Sequence, residues 1–182
     1  MSRGFFDDPT LLAPQRTLRT DIGGGGFVLR SPDALQPYAR CVGEWLDHWA
    51  QQTPDALAFA ARDKTTAKPT WQKLTWRDLR RLVGGVAQGL LDLRLDANKP
   101  IVVLSDNSLD HLVLMLASMH IGQAVCTVSS AYTRLAQGQY QKLHGILQTL
   151  APALVYASDA KTYAAATQNV PVTFVTMFSE GA

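Results

Sequence analysis

The 182-residue sequence contains only two cysteines, Cys41 and Cys126, which lie far apart and form no CxxC pair. This argues against a disulfide framework and a cysteine-rich metal site, and it favours two buried thiols in a reducing compartment. Acidic and basic residues nearly balance, with 17 Lys and Arg against 15 Asp and Glu, so the net charge is +2. A charge this small gives no reason to expect nucleic acid or an anionic membrane as a partner.

Long apolar stretches and targeting signals are also missing. No window approaches 18 uninterrupted apolar residues, which argues against a transmembrane helix. Residues 1–9 include two acids and no apolar core, so we expect a non-secreted, cytoplasmic protein. Hydrophobic residues make up 47% of the chain and charged residues 18%, which is the balance of a globular protein rather than a disordered one.

Several ligand-binding and catalytic motifs are absent. The sequence has no GxGxxG after a predicted strand and no GxSxG, and its four histidines show no HExxH spacing. The run Gly23–Gly26 is followed by Phe27 and lacks the lysine that ends a phosphate-binding loop, so we expect a turn there. We therefore predict no catalytic residue and no metal site from the residues alone.

Composition divides the chain into two parts. Residues 1–40 hold four prolines and the four consecutive glycines, which is typical of an extended N-terminal arm. Phe27–Arg30 could form one short edge strand or half of a hairpin within this arm. Periodic patterns begin at Val42, so we predict an α/β subdomain over residues 41–182.

Helix and strand patterns alternate through this subdomain. Thr75, with Asp78 three residues later, predicts the start of a helix, and the glycines in that helix suggest close packing against a neighbour. Ile101–Leu104 is typical of a strand covered on both faces, and Asn107 is the predicted N-cap of the next helix. The predicted elements are a helix from Val42 to Pro54, a hairpin of Ala56–Ala61 with Trp71–Leu74, strands at Ala124–Val128, Leu154–Tyr156 and Val172–Val175, and helices at Leu135–Leu150 and Ala160–Ala166. We expect a doubly wound α/β fold with a mostly parallel sheet.

Polar loops follow two of the predicted parallel strands, at Ser105–Ser108 and Ser129–Thr133. Ligands of open parallel sheets bind beyond the carboxyl ends of the strands, although such loops also need hydroxyl groups to cap the next helix. The second loop is the stronger candidate. Its residues Ser129, Ser130 and Tyr132 are the predicted substrate-binding residues.

Three segments resemble motifs of the adenylate-forming acyl-CoA synthetase superfamily (the AMP-binding superfamily). Leu74–Leu79 resembles the T-[YW]-x-x-L entry to its first long helix, Ile101–His111 resembles its strand followed by NS-x-E, and Leu116–Val125 resembles its LA-x-x-x-x-G segment. Within the superfamily the chain is most similar to feruloyl-CoA synthetases. That similarity rests on Leu29–Pro32, Pro37–Gly43, Val128–Tyr132 and Lys142–Leu143, with Asp110 in place of the commoner Glu and Ser130 in place of Pro.

The resemblance implies that the chain is the N-terminal portion of a longer carboxylate–CoA ligase. Such an enzyme would activate an aromatic acid, of the hydroxycinnamic type such as ferulic acid, with ATP and Mg²⁺ to an acyl-adenylate, and would transfer the acyl group to CoA. The superfamily's ATP-binding motifs are expected beyond Ala182, so we expect the fragment to be inactive alone and to bind no cofactor tightly. The Ser129–Thr133 loop is expected to border the approach of the acid and CoA.

Two alternatives remain open at this point. The parent protein could be an acyl-CoA synthetase of the same superfamily with another substrate, or the chain could be a free-standing α/β interaction domain. For the leading interpretation we expect the aromatic acid and CoA as partners of the parent, with no nucleic acid and no membrane. We also expect a homo-oligomer, or self-association of the isolated fragment through exposed subdomain surface.

Overall fold

The computed structural model describes residues 16–63 and 70–178, and the chain forms two compact units, Met1–Tyr38 and Ala39–Ala182. The first 15 residues of the predicted arm and the four C-terminal residues lie outside the described part. In the first unit, β1 (Leu18–Gly23) and β2 (Gly26–Arg30) pair antiparallel, so Phe27–Arg30 forms half of a hairpin. The glycine run makes the turn, with positive φ angles at Gly23, Gly24 and Gly25.

The second unit begins with helices and a small hairpin. Thr75 caps the helix α2 (Trp76–Asp92) as predicted, because its Oγ1 accepts from the Asp78 N–H at 3.1 Å and its hydroxyl donates to Asp78 Oδ2 at 2.7 Å. The hairpin strands β3 and β4 pair antiparallel, with Arg62 opposite Trp71. These elements are α1 (Val42–Gln52), β3 (Leu57–Asp63), β4 (Thr70–Thr75) and α2 (Trp76–Asp92).

A four-stranded parallel sheet forms the centre of this unit. Its strands are β5 (Ile101–Leu104), β6 (Val125–Val128), β7 (Leu154–Ala157) and β8 (Val175–Phe178). They lie in the order β6-β5-β7-β8, and every neighbouring pair is parallel. The connection from β5 runs outward to β6, whereas the next connection crosses back to β7, so the topological switch point lies between β5 and β7. The elements are β5 (Ile101–Leu104), α3 (Leu109–His120), β6 (Val125–Val128), α4 (Ala131–Arg134), α5 (Gln141–Leu150), β7 (Leu154–Ala157), α6 (Ala160–Thr167) and β8 (Val175–Phe178).

Helices cover both faces of the sheet, which confirms the doubly wound α/β fold. Ile101 and Val103 pack on one face in a cluster with α1, α2 and α3. Val102 and Leu104 point to the other face and pack with α5 and α6. All four of these β5 residues are at most 1% exposed, which explains why the strand is an unbroken apolar run without alternation.

Three predicted local features differ from the structure. Ser108, not Asn107, caps α3, because its Oγ accepts from the His111 N–H at 3.1 Å. The predicted helix Leu135–Leu150 begins only at Gln141, as α5, because Gln137 and Gly138 have positive φ angles that a right-handed helix does not allow. The last strand lies at Val175–Phe178 rather than Val172–Val175, where it pairs in register with β7.

The prediction of two buried thiols was wrong for Cys41. Cys41 is exposed, whereas Cys126 is partly buried and packs against the core cluster on the α5 and α6 side of the sheet. Trp45 and Trp49 lie one turn apart on α1, and they are 54% and 38% exposed. The reason is that α1 buries only Gly43 and Leu46, so its tryptophan face lies outside that narrow contact.

In the part of the chain that the structure describes, no helix is long and apolar enough to cross a membrane.

Candidate functional site at the carboxyl edge of the sheet

The candidate site lies where the carboxyl ends of three neighbouring parallel strands meet. β5 leads into Ser105 and Asp106, β6 leads into Ser129 and Ser130, and β7 leads into Ser158 and Asp159. In open parallel sheets the loops on either side of the topological switch point run in opposite directions, and ligands bind at this edge, so we expect the site between the loops after β5 and β7. The fold therefore brings the two polar loops predicted from the sequence to one edge, together with a third loop.

Asp106 connects the loops after β5 and β6. The Ser130 hydroxyl donates to Asp106 Oδ1 at 2.5 Å, and the Arg134 guanidinium donates to Oδ2 of the same carboxylate. The ion pair is half-exposed, with 46% of the Asp106 side chain and 54% of the Arg134 side chain accessible. Water screens a pair of this kind, so we expect it to orient the loop more than it stabilises the fold.

Tyr163 of α6 places a buried phenol under the same edge. The side chain is 2% exposed, and burial raises the pKa of its hydroxyl above the ordinary value of 10.0. The charge of Asp106 raises this pKa further, whereas Arg134 and a hydrogen bond with Ser158 lower it. The phenol therefore stays neutral at physiological pH and remains a hydrogen-bond donor beside the ion pair.

The three predicted substrate-binding residues lie on one loop at this edge. Ser129 is exposed, and its Oγ lies 3.4 Å from the backbone nitrogen of Ala131, which is a weak contact. Ser130 is engaged with Asp106, as described above. Tyr132 is partly buried, and the Lys142 ammonium lies 4.4 Å from the centre of its ring in a cation–π contact. Their contact with a substrate stays a prediction.

One polar atom of this loop lacks a partner within the described residues. Thr133 is 6% exposed, and its Oγ1 is buried without a hydrogen bond among them. A buried hydroxyl without a partner costs about 1–3 kcal/mol, so such a group calls for a bound water, a ligand or another part of the protein. The loop after β6 therefore has unused hydrogen-bonding capacity at its base.

Sequence reasoning named the loop but missed the residues that hold it in place. Arg134 and Tyr163 carry no recognisable motif, and they reach the site only because α4 and α6 fold against the same edge. Asp106 stood within a polar loop that was considered and weighted lower. Polar residues follow each of these parallel strands in the sequence. That pattern could have predicted that Asp106 and Ser158 lie at the same edge of the sheet.

Chemically, the edge offers hydroxyl groups, one phenol and a charge-balanced ion pair. This combination suits hydrogen bonding to a polar ligand, whereas phosphoryl transfer needs metal ions or cations that neutralise developing charge. Within residues 16–63 and 70–178, no group of three His, Cys, Asp or Glu side chains is placed to hold a metal ion.

Residues 46–177 match the model of the protein family described as AMP-binding enzyme. Malpinin synthetase of Mortierella alpina is 25% identical over 174 residues, which are 93% of this chain but 2% of that protein. The chain therefore spans only a small part of that relative's length.

Two solved structures share the fold. A fatty acyl-adenylate ligase from L. pneumophila, in complex with acyl adenylate and pyrophosphate, matches at a TM-score of 0.62 and 13% identity. The match covers 77% of this chain and 23% of that one. The N-terminal subdomain of Klebsiella oxytoca NpsA, in complex with 3-hydroxyanthranilyl-AMSN, matches at a TM-score of 0.57 and 19% identity, over 76% of this chain and 30% of that one. At these identities the likeness shows the fold alone, which is that of N-terminal subdomains of adenylate-forming enzymes.

Proposed function

The chain belongs to the AMP-binding enzyme family, and we propose that it is the N-terminal portion of a ligase that activates a carboxylic acid as an acyl-adenylate. The observation that carries this proposal is the family match over residues 46–177, which includes β5, β6, β7 and all but the last residue of β8. The free-standing interaction domain is not favoured, because the match covers most of the subdomain rather than an isolated motif.

The finer proposal concerns the substrate and the acceptor. The acid is aromatic, of the hydroxycinnamic type such as ferulic acid, and the acceptor of the acyl group is CoA. The resemblance of Val128–Tyr132 and Lys142–Leu143 to feruloyl-CoA synthetases supports this substrate class. The NpsA subdomain that shares the fold was solved with a 3-hydroxyanthranilyl compound, which is also aromatic.

In this reaction the carboxylate attacks the α-phosphorus of ATP, pyrophosphate leaves, and the CoA thiolate then displaces AMP from the acyl-adenylate. Mg²⁺ would neutralise part of the negative charge of the phosphates. The described residues offer no metal-holding cluster, and the Arg134 guanidinium is already paired with Asp106. As the family resemblance implies, we propose that the remainder of the parent protein binds the nucleotide and the metal, and that this chain forms the first α/β subdomain.

Ser129, Ser130 and Tyr132 are the residues through which this subdomain contacts the acid or CoA. Their loop follows a strand next to the switch-point strand, it is accessible, and its base holds the unpaired Thr133 hydroxyl. A loop held by an Asp–Arg pair and flanked by hydroxyl groups can form one wall of a narrow approach. Its role is positioning, since it holds no nucleophile or base aimed at a reacting atom.

The test compares the product of the complete reading frame with the 182-residue chain. We expect the complete product to exchange labelled pyrophosphate into ATP in the presence of ferulate and to form feruloyl-CoA, and the 182-residue chain to do neither. If other acids support pyrophosphate exchange and aromatic acids do not, the protein would still be an adenylate-forming ligase, but the proposed aromatic substrate class would be wrong. Absence of exchange with a panel of aromatic, short-chain and long-chain acids would overturn the function.

An apolar groove of about 500 Å³ lies between α2, α3 and the last two strands, β7 and β8. Leu82, Val86 and Met177 are among its lining residues, and we propose that it packs against the remainder of the parent protein. The isolated chain should then self-associate through this groove. Light scattering should show oligomers that Met177→Lys reduces, and a monomer at high concentration would contradict the proposal.

A further inference from the structure

A second concave site lies away from the loop after β6. It is a cleft of about 670 Å³ between the β3–β4 hairpin and the first two turns of α3. Clefts of 300–1,000 Å³ that are mostly apolar and carry a few polar groups are the usual form of small-molecule sites. The residues that carry the argument are Phe59, Arg62 and Trp71 on the hairpin, and His111, Leu112 and Met115 on α3.

The walls of the cleft are mostly apolar. Phe59 and Trp71 remain 39% and 55% exposed, although both are large aromatic side chains within a folded subdomain. Leu112 and Met115 line the opposite wall on α3. Aromatic and thioether groups on facing walls suit a planar ring, which can stack on the indole and contact the sulfur at its edge.

The charge at the rim is positive. The Arg62 guanidinium lies 5.3 Å from the centre of the Trp71 ring, its cross-strand partner. Among the residues whose side chains the structure describes, no carboxylate lies within ion-pair distance of Arg62. By contrast, the exposed Arg77 and the partly buried Arg80 are both paired with aspartates. A guanidinium that stacks on indole and keeps its donor fork open can bind a carboxylate.

We propose that this cleft binds small aromatic carboxylates, with the ring against Trp71 and the carboxylate on Arg62. The site differs from the proposed substrate loop, because none of Ser129, Ser130 and Tyr132 lines it. The proposal does not depend on the proposed ligase, since it needs neither nucleotide nor CoA.

The test titrates the 182-residue chain with 2-naphthoate, using calorimetry and amide chemical-shift mapping by NMR. Two matched compounds separate the contributions: 2-naphthylmethanol keeps the ring without the charge, and cyclohexanecarboxylate keeps the charge without the aromatic ring. We expect saturable binding of 2-naphthoate alone, weaker at high ionic strength, with shifts centred on Arg62, Trp71 and His111. Equal binding of the neutral alcohol, or shifts confined to other parts of the chain, would overturn the proposal.

Variants identify the two contacts. Arg62→Gln and Trp71→Leu should each weaken binding about fivefold or more, whereas Trp71→Phe should retain part of it because an aromatic face remains. The controls are Arg77→Gln and Trp45→Leu, which remove an exposed arginine and a similarly exposed tryptophan outside the cleft. If the controls weaken binding as much as the cleft variants do, or if neither pair has an effect, the proposal is wrong.

Discussion

A Cβ atom at Gly43 would lie only 2.7 Å from Nδ1 of His120. Gly43 lies in the first turn of α1, and His120 is the last residue of α3, so this pair determines how closely the two helices approach. Real Cβ atoms do not tolerate a contact this short, and His120 Nδ1 is buried without a partner among the described residues. A side chain at position 43 would therefore force the His120 ring or α1 to move.

The first prediction is that Gly43→Ala destabilises the chain. Overpacking of this kind costs about 1–3 kcal/mol, and each kcal/mol lowers the Tm of a chain of this length by roughly 2–4 °C. Gly85→Ala on α2 is the matched control, because nothing lies within 4 Å of its added Cβ. That control should raise the Tm slightly, since alanine is favoured over glycine in a helix by about 1 kcal/mol. Equal melting temperatures for both variants would contradict the packing argument.

The second prediction concerns Asp106 as a positioning residue in the complete enzyme. Asp106→Asn keeps the shape of the side chain but removes the charge that holds Arg134. The KM for the acid or for CoA should rise about two- to fivefold while kcat changes less, because an exposed ion pair contributes at most about 1 kcal/mol. Steady-state kinetics with each substrate varied in turn provides the measurement.

The control for this prediction is Asp55→Asn, which removes the exposed pair between Asp55 and Arg77 far from the sheet edge. Both variants should lose a similar, small amount of stability, and only Asp106→Asn should change the KM. An unchanged KM in Asp106→Asn would show that the pair does not position the loop.

The third prediction tests Tyr132 as part of the substrate approach. Tyr132→Ala in the complete enzyme removes the aromatic face under Lys142 and should raise the KM for the acid or CoA about two- to tenfold, the range expected for one aromatic contact. Tyr132→Phe keeps the ring and its cation–π contact, so its KM should stay close to that of the unchanged enzyme. Unchanged kinetics in Tyr132→Ala would remove this residue from the site.

Sequence patterns predicted the fold well where one side chain determines one local structure. The Thr75 cap, the apolar run of β5 and the glycine turn of the first hairpin each have a local cause, and each is confirmed. The cap of α3 was placed one residue early, because Asn107 and Ser108 are both good caps and tertiary context selects between them.

Glycine was a weaker guide to close packing. The glycines of α2 suggested a close neighbour, yet an added Cβ would meet nothing within 4 Å at Gly85 and Gly89. The glycine that does pack closely is Gly43, and its partner His120 lies 77 residues away in the sequence. Arg134 and Tyr163 are likewise brought to the site by the tertiary fold, since their interactions are with each other and with Asp106. Contacts between distant residues leave no periodic signal in a single sequence.

The fourth prediction is a loss of stability at alkaline pH that depends on Tyr163. Its pKa in the folded chain is raised above 10.0, chiefly by burial. Below pH 10 both the folded and unfolded chains keep the phenol proton, so this group contributes no pH dependence. As the pH rises above about 10, the unfolded chain releases the proton first, and the free energy of unfolding falls until the folded pKa is passed.

Urea unfolding between pH 8.5 and 11 measures this effect, with the urea midpoint followed at each pH. Tyr163→Phe loses the hydrogen bond with Ser158 and should be less stable at pH 8.5, yet its stability should fall less steeply above pH 10. Tyr38→Phe, at a tyrosine that is 73% exposed, is the control for removing a phenol from the surface. Because all other titrating groups are shared, the difference in slope between the unchanged chain and Tyr163→Phe isolates this phenol, and parallel slopes would show that its proton is not linked to folding.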